Sequence, residues 1–261
     1  PRRRRSSAPE PRADHYAAFA SHYHWFLDDV RRRVGCDTPG VRLAVRAIPE
    51  HARVLDAACG LGIDALWLAE RGRRVTATDA SSGMVAEARR RLAASDAPGV
   101  DVRRCEWDDL GSEFPPDSFD AVLCVGSSIA HAPHLRRVLS AFGSVLVSGG
   151  LLILDSRDWE ATTSAKPVVE VEPVIVEREG RRCRRSYEWA QPEPSGPVEL
   201  RATLEFLGDD GSVSESMTWT LHQHAFTRQD LRAALERAGF GSIALDRIPG
   251  DDRYTATARR R

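Results

Sequence analysis

Residues 53–65 read RVLDAACGLGIDA, and this stretch decides the fold. A short apolar run is followed at once by Gly60 and Gly62, and helical spacing begins directly after them. A strand, a glycine turn and a helix in this order open a nucleotide-binding βαβ unit. Ligands of open α/β sheets bind beyond the carboxyl ends of the strands, which is where these glycines fall. The stretch therefore predicts a ligand site on the backbone around the two glycines.

The alternation of strand and helix continues downstream of this turn. Further strand patterns cover 74–78, 100–105, 119–125 and 151–155, of which the last two are apolar, and helical patterns cover 64–71, 82–94 and 134–146. A helix from Thr227 to Ala238 and strands at 242–248 and 254–258 complete the pattern. Strands that alternate with helices predict an α/β fold, here a Rossmann-like, seven-stranded, mostly parallel sheet with helices on both faces.

Residues 166–224 break this rhythm. They hold β-rich segments separated by Gly180, by a proline-rich stretch and by a turn at 208–211, which are hairpin signals. We predict an antiparallel β lid over 166–224 that divides the main domain into 15–165 and 225–261. Residues 1–14 are predicted to be a disordered tail, and residues 15–50 a helical cap whose helices begin near His15 and Val41.

Composition restricts the class of protein. The 37 Lys and Arg residues nearly balance the 38 Asp and Glu residues, whereas a nucleic-acid enzyme is usually strongly basic. No apolar run reaches the roughly 18 residues of a membrane span, and no leader pattern is visible. The five cysteines are odd in number and widely spaced, which predicts neither disulfides nor zinc. We expect a cytoplasmic protein without a metal, a membrane or a nucleic-acid partner.

Asp79 supplies a second ligand signal. It ends the next predicted strand, seventeen residues after Gly62, where a carboxylate can accept hydrogen bonds from a ribose diol. The same residue suits a dinucleotide enzyme, and Gly60-x-Gly62-x-x-Ala65 also satisfies the dinucleotide fingerprint. These residues alone leave an NAD-dependent oxidoreductase open.

Three further features favour an adenosine that carries an amino acid. Asp56 precedes the glycines, where a carboxylate can lie near an ammonium group. Glu106 and Trp107 close the third strand, so that the acid can accept from an exocyclic amine while the indole packs on a purine. Small residues at 125–128 form a turn after the fourth strand, and no phosphate clamp follows the rim.

At this point a family resemblance becomes clear. The segment VLDAACGLGIDALWLAERGRRVTATDASSGMVAEA resembles the opening motifs of class I S-adenosylmethionine (SAM)-dependent methyltransferases. The segments CEWDDL, FDAVLCVGSSIAH and GGLLILDSRDWE extend the resemblance to the glycine N-methyltransferase family, over residues 50–160. The resemblance implies an enzyme that transfers methyl groups from SAM to a small molecule and leaves S-adenosylhomocysteine (SAH).

The resemblance also assigns cofactor residues along the chain. Ala58 and Gly60 would lie along the methionine part of SAM, Asp79 would hold the ribose, and Met84 and Trp107 would flank adenine. An arginine among Arg31–Arg33 would reach the cofactor carboxylate. The predicted cofactor residues are Tyr16, Trp25, Asp56, Ala58, Gly60, Gly62, Asp79, Ala80, Met84, Glu106, Trp107, Val125 and Ser128.

The acceptor side rests on fewer residues. Arg157 follows the strand that ends at Asp155, and its planar guanidinium suits a carboxylate, which is its role in the glycine enzyme family. His131 is predicted to be catalytic, because it follows the fourth strand and can position or deprotonate an acceptor. His222 faces the same way as His224 on a lid strand. The predicted substrate residues are Tyr23, Ser127, Arg157 and His222.

Two departures from the family leave the acceptor open. Ser127 stands where the glycine enzyme has an asparagine, and His222 lies near the place of a family tyrosine. The acceptor is therefore a glycine- or sarcosine-like amino acid or another small amine. The alternatives are an O-methyltransferase with His131 as base, an NAD-dependent oxidoreductase and a non-catalytic SAM-binding protein. Whether the chain forms a homo-oligomer is also open.

Overall fold

The computed structural model describes residues 14, 16–27, 39–95, 99–160, 168–190, 197–247 and 253–261. The predicted tail lies outside these residues apart from Asp14, and Arg31–Arg33 lie outside them as well.

The main sheet has seven strands, as predicted. They are β1 Arg53–Asp56, β2 Arg74–Asp79, β3 Asp101–Arg104, β4 Phe119–Cys124, β5 Leu146–Arg157, β10 Phe240–Arg247 and β11 Arg253–Arg260. Their order in the sheet is β10-β11-β5-β4-β1-β2-β3. The strands from β3 to β5 are parallel, whereas β11 pairs antiparallel with both β5 and β10.

Helices cover both faces of this sheet. They are α1 Pro39–Arg46, α2 Ile63–Ala69, α3 Ser82–Ala93, α4 Leu110–Glu113, α5 Leu135–Val145 and α6 Arg228–Arg237. The central strand β4 is apolar along most of its length and has four consecutive fully buried positions, because helices cover both of its faces. The parallel order places the carboxyl ends of β1, β2 and β4 side by side at one edge.

The sequence prediction was wrong about the start of β5. We expected the strand to begin at Leu151, after Gly149 and Gly150 had ended the preceding helix. The strand begins at Leu146, and the glycines lie inside it, with Gly149 at φ 74°. The register with β4 shifts between Phe119 and Ala121, so the glycines absorb a bulge within the strand.

The lid is a separate four-stranded antiparallel sheet, in the order β6-β7-β8-β9. Its strands are β6 Val168–Arg178, β7 Arg181–Ala190, β8 Val198–Leu207 and β9 Val213–Gln223. Alternate residues of β8 from Val198 to Phe206 are buried. On the opposite face, ion pairs such as Arg184–Glu205 at 2.6 Å join neighbouring strands. The predicted antiparallel insertion is confirmed, and 166–224 remains our prediction for its limits.

The cap is less helical than predicted. A turn at residues 16–19 leads into a short 3₁₀ helix, Ala20–Phe26, instead of an α-helix from His15. Phe19 packs against Phe26 at 5.2 Å and against Trp219 of the lid at 5.0 Å. Aromatic packing against the lid thus accounts for the apolar spacing that suggested a longer helix.

Lid side chains fasten the end of this 3₁₀ helix. Arg178 donates to the first and the last carbonyl of the segment His24–Leu27. Arg185 donates to the carbonyl of Trp25 at 3.3 Å, and the hydroxyl of Tyr187 donates to that of Phe26 at 3.4 Å. The carbonyl of His24 also accepts from the N–H of Leu27 at 3.3 Å. The lid donors add partners at the end of the helix, where carbonyls lack them within the helix. We call these contacts the cap–lid clamp.

Candidate active site

A cavity of about 770 Å³ lies at the carboxyl ends of the parallel strands, enclosed by the cap and the lid. This volume is within the usual range for small-molecule sites, and its place is where open α/β sheets bind ligands. The glycine turn, the ends of β2, β4 and β5, the cap and the lid all contribute to its wall.

The two glycines of the turn have different structural roles. Both have left-handed backbone, with φ 51° at Gly60 and φ 73° at Gly62. A Cβ on Gly60 would come within 3.8 Å of only the Tyr23 ring, so the turn stays open toward the cavity. A Cβ on Gly62 would lie 3.2 Å from Ala88, because Gly62 allows α2 to pack on α3.

Asp79 at the end of β2 is tied to this turn. One carboxylate oxygen accepts from the backbone N–H of Gly60 and the other from that of Ser81, each at 2.9 Å. Burial raises the pKa of Asp79 to about 6, and the carboxylates of Asp14 and Glu106 oppose its ionisation further. The carboxylate lines the cavity and keeps acceptor capacity for a diol.

Trp107 is fixed in orientation beside it. Its indole N–H donates to the carbonyl of Ala57 at 2.6 Å, and its ring meets Phe142 edge-on at 5.9 Å. Met84 and Glu106 also line the cavity. A thioether, an indole and a carboxylate form a suitable frame for a purine with an exocyclic amine.

Tyr16, His131 and the lid meet at one point of the cavity. The Tyr16 hydroxyl lies 2.9 Å from Nε2 of His131, and Nδ1 of His131 lies 2.8 Å from the carbonyl of His222. A carbonyl can only accept, so Nδ1 of a neutral His131 carries the proton and Nε2 accepts from Tyr16. The N–H of His224 donates to the carbonyl of Ala130 at 2.6 Å, which holds β9 in place. His131 therefore joins the cap, the main domain and the lid.

Tyr16 is held as a neutral phenol. Its removal from water raises its pKa well above the usual value, and Tyr23, Asp79 and Tyr187 act in the same direction. A neutral hydroxyl can donate to His131 and accept from a third group at the same time.

Ser127 follows β4 in a left-handed conformation, with φ 58°. Its N–H donates to the buried carboxylate of Asp155 at 2.7 Å. Its own hydroxyl is buried, lines the cavity, and has no hydrogen-bond partner among the described residues. A buried hydroxyl without a partner is costly unless a ligand supplies one.

The lid side of the cavity is aromatic and cationic. The guanidinium of Arg157 stacks over the Trp189 ring at 4.2 Å, and the Trp189 indole donates to Gln223 at 3.1 Å. Arg253 lies opposite Arg157 on the neighbouring strand, and its guanidinium is 3.7 Å from Asp155. A planar cation held against an aromatic face, as Arg157 is, suits an anionic group that approaches from the cavity.

Most of the predicted site residues line this one cavity. They are Tyr16, Tyr23, Ala58, Gly60, Asp79, Ala80, Met84, Glu106, Trp107, Val125, Ser127, Ser128, His131, Arg157 and His222. The structure brings them together, and their contacts with ligands stay predictions.

Three predicted cofactor residues lie outside the cavity wall. Trp25 is buried and meets Phe206 of the lid edge-on at 5.1 Å. Gly62 serves the packing of α2 described above. Asp56 is 1% exposed and lies beneath the turn, where burial and the carboxylate of Asp64 raise its pKa. Their roles toward the cofactor stay predictions.

Sequence reasoning missed several residues of the wall. They are Asp64, Arg185, Tyr187, Trp189 and Arg253. Asp64 follows Gly62 by two residues, and that proximity was a usable signal. The lid residues lie in a segment without a motif, so only the packing of the lid over the sheet reveals them.

Similarity to known proteins agrees with this geometry. Residues 54–150 match a family model described as a methyltransferase domain. The chain is 38% identical to the glycine N-methyltransferase of Rattus norvegicus over 120 residues, which cover 41% of each protein. It is 35% identical to the ubiquinone biosynthesis O-methyltransferase of Xanthomonas campestris pv. campestris (strain B100) over 162 residues, 61% of this chain and 66% of that one.

Solved structures extend the likeness to the whole fold. SAM-bound CalS10, an amino pentose methyltransferase from Micromonospora echinaspora, superposes with a TM-score of 0.73 at 22% identity, over 94% of this chain and 97% of its own. The sugar N-methyltransferase KedS8 from Streptoalloteichus sp ATCC 53650 gives a TM-score of 0.70 at 22% identity, over 100% of this chain and 98% of its own.

The motifs, the sheet order and these matches together define the class: the chain contains a class I SAM-dependent methyltransferase domain. SAM is the cofactor of that class, and the residues present fit it. The open glycine turn, the Asp79 carboxylate and the frame around Trp107 match its methionine, ribose and adenine parts. No described helix is long and apolar enough to cross a bilayer.

Proposed function

We propose that the chain is a SAM-dependent methyltransferase that methylates the amine of a small molecule carrying an anionic group. The observation that supports this most is the division of charge in the cavity. Five carboxylates line the side of β1–β3 and outnumber the two arginines there, Arg104 and Arg137, whereas Arg157, Arg185 and Arg253 line the side of β5, β11 and the lid; the carboxylates are Asp14, Asp64, Asp79, Glu106 and Asp108.

This division suits the two reactants. SAM is cationic at its sulfur and its ammonium group, and carboxylates lower the free energy of such a ligand in a partly dry site. Arginines on the other side favour a carboxylate, phosphate or sulfate on the acceptor. Asp155 offsets part of the charge of Arg253. Arg157, whose guanidinium is held over the Trp189 ring, is our candidate for the anionic contact. The Tyr16–His131 pair lines the same cavity.

Bound SAM supplies an electrophilic methyl group, and the protein must present a neutral amine in line with it. A protonated amine can donate its proton to the Tyr16 oxygen while the Tyr16 proton passes to Nε2 of His131. His131 then becomes an imidazolium that still donates from Nδ1 to the carbonyl of His222. Ser127 can accept an N–H of the acceptor and so orient the amine. Orientation of the reactants contributes more to the rate than the proton transfer does.

The acceptor is better matched by an amine larger than glycine. Trp189 and Tyr187 stack at 5.6 Å and line the lid side of the cavity, a surface that glycine would leave uncovered. The relative named glycine N-methyltransferase and the structure named sugar N-methyltransferase both act on nitrogen by their names. We therefore place an anionic amine with an apolar or ring-shaped body ahead of glycine and sarcosine.

Methyl transfer to a hydroxyl or carboxylate is the second candidate. The Tyr16–His131 pair is a suitable base for an alcohol, and one relative is named as an O-methyltransferase. An alcohol needs that base at every accessible pH, whereas an amine with a free lone pair does not.

The first experiment is calorimetric titration with SAH and with NAD, followed by a methyl-transfer assay on matched amine and alcohol acceptors. We expect SAH to bind, NAD not to bind, and only amines to be methylated. Binding of NAD alone would contradict the methyltransferase assignment. Binding of SAH without transfer to any acceptor would favour the non-catalytic alternative.

A variant pair then separates the two acceptor chemistries. His131→Asn keeps a donor for the carbonyl of His222 but removes Nε2, so we expect kcat to fall roughly 10²- to 10⁴-fold near neutral pH. With an amine acceptor, activity should recover at roughly pH 9, where more of the amine is already neutral. The matched control is His51→Asn, at an exposed left-handed position that asparagine tolerates. A loss that persists at high pH would support the alcohol.

A further inference from the structure

Asp64 is a wall residue whose role the motifs do not supply. It lies in the first turn of α2, two residues after Gly62, and lines the cavity on the side of the glycine turn. By the resemblance, this is the side along which the methionine part of SAM runs. That part carries an α-ammonium group, which needs an anionic partner where water is scarce.

Asp56, the residue predicted to meet this ammonium, is badly placed for it. It is 1% exposed and does not line the cavity. Its carboxylate oxygens make no hydrogen bond of ordinary geometry with the described residues. Burial and the neighbouring Asp64 raise its pKa and so favour a neutral acid, whereas the backbone N–H of Ala58 acts in the opposite direction.

Four other carboxylates line the cavity, and Asp64 alone among the five lies next to the glycine turn in the chain. Asp79 accepts from the backbone of Gly60 and Ser81. Asp108 is paired with Arg137 at 2.7 Å, and Asp14 accepts from the backbone and the hydroxyl of Ser82. Glu106 lies beside Trp107, at the part of the wall assigned to adenine.

We infer that Asp64 is the carboxylate that pairs with the α-ammonium of SAM, while Asp56 serves as a buried neutral acid beneath the turn. This inference rests on the proposed function, because it requires that the cavity binds SAM. It moves the role expected of the acid before the glycines to the acid after them. It also explains why a second carboxylate lies so close to a buried one.

The test compares two ligands that differ in the relevant group. SAH carries the ammonium group, whereas 5′-methylthioadenosine has the same adenosine and thioether but lacks the amino-acid part. Asp64→Asn keeps the size of the side chain and removes its charge. We expect it to raise the Kd of SAH roughly ten- to a hundredfold, as for a lost charged hydrogen bond, and to leave the Kd of methylthioadenosine within about twofold.

Asp56→Asn is the matched control. If Asp56 acts only beneath the turn, its replacement changes the affinity for both ligands by the same factor. Equal weakening of both ligands by Asp64→Asn, or no weakening, would overturn the inference. So would a selective loss of SAH affinity in Asp56→Asn. Failure of the unmodified protein to bind SAH would instead refute the proposed function and the inference with it.

Discussion

Gly83 offers a way to loosen the cap without touching the cavity. It lies in the first turn of α3, where the cap crosses it at close range. A Cβ on Gly83 would come 2.7 Å from the carbonyl oxygen of Ala17, 2.9 Å from its Cα and 3.0 Å from the Cβ of Ala20. None of these atoms belongs to a side chain that can rotate away, so Gly83→Ala must push the cap aside.

The size of the effect follows from these distances. Ordinary contact begins near 3.4 Å, so the cap must move by about 0.7 Å at its nearest atom. Overpacking of this kind costs roughly 1–3 kcal/mol. The gain in helix propensity from glycine to alanine, at most about 1 kcal/mol, belongs to the main domain whether or not the cap is docked. We therefore expect an unchanged or slightly raised Tm and a cap that docks less well.

Two measurements report on the cap directly. Since Tyr16, Phe19 and Tyr23 line the cavity from the cap, the Kd of SAH should rise roughly five- to a hundredfold, in proportion to the cost of docking. Hydrogen exchange in peptides that cover residues 16–27 should become faster. Gly111→Ala is the control, because its Cβ would meet only Ser144 at an ordinary 3.5 Å. An unchanged Kd and unchanged exchange in Gly83→Ala would refute the proposed crowding.

Two further predictions concern pH and stability. Asp79 has a pKa of about 6 in the free protein, so SAH affinity should fall as the pH drops below about 6 and the carboxylate is protonated, and Asp79→Asn should flatten this profile. Because that pKa is raised above its unfolded value, the contribution of Asp79 to stability is greatest at low pH and declines as the pH rises from about 4 to about 6. A calorimetric series of Tm against pH measures this decline. An unchanged slope of Tm against pH in Asp79→Asn would contradict it. Thr227→Ala removes the capping box with Asp230 and should cost about 1 kcal/mol, or roughly 2–4 °C in Tm, without a change in SAH affinity, because α6 lies away from the cavity. A loss of SAH affinity in this variant would mean that α6 is coupled to the site.

The regular part of the fold could be predicted because local pattern and burial agree there. The strand at 119–124 is apolar and bounded by turn residues, and the strand at 74–79 and the helix at 82–93 belong to the same regular βαβ alternation. The bulge at Gly149 could not be predicted, since a glycine pair after a helix has the same sequence signature as a helix end. The 3₁₀ helix of the cap depends on contacts with a lid that lies about 150 residues away in the chain.

The residues of the site likewise fall into those that the sequence predicted and those that only the packing revealed. Asp79, Glu106 and Trp107 were found because each follows a parallel strand, and those strand ends meet at one edge. Asp56 was predicted to face the ligand, and its burial became visible only with the packing of β1 between its neighbours. Trp189 and Arg253 come from an antiparallel lid and from the last strand, and no local spacing connects them to Arg157.

The cap–lid clamp has a consequence for anyone who wishes to redesign the acceptor. The bonds run from side chains of Arg178, Arg185 and Tyr187 to main-chain carbonyls of residues 24–27. The side chains that determine this attachment therefore all belong to the lid. A lid transplanted from another enzyme would carry different side chains at these positions and would leave the cap carbonyls without their donors. Cap and lid should therefore be exchanged as one module, even though more than 150 residues separate the bonded side chains from the bonded carbonyls.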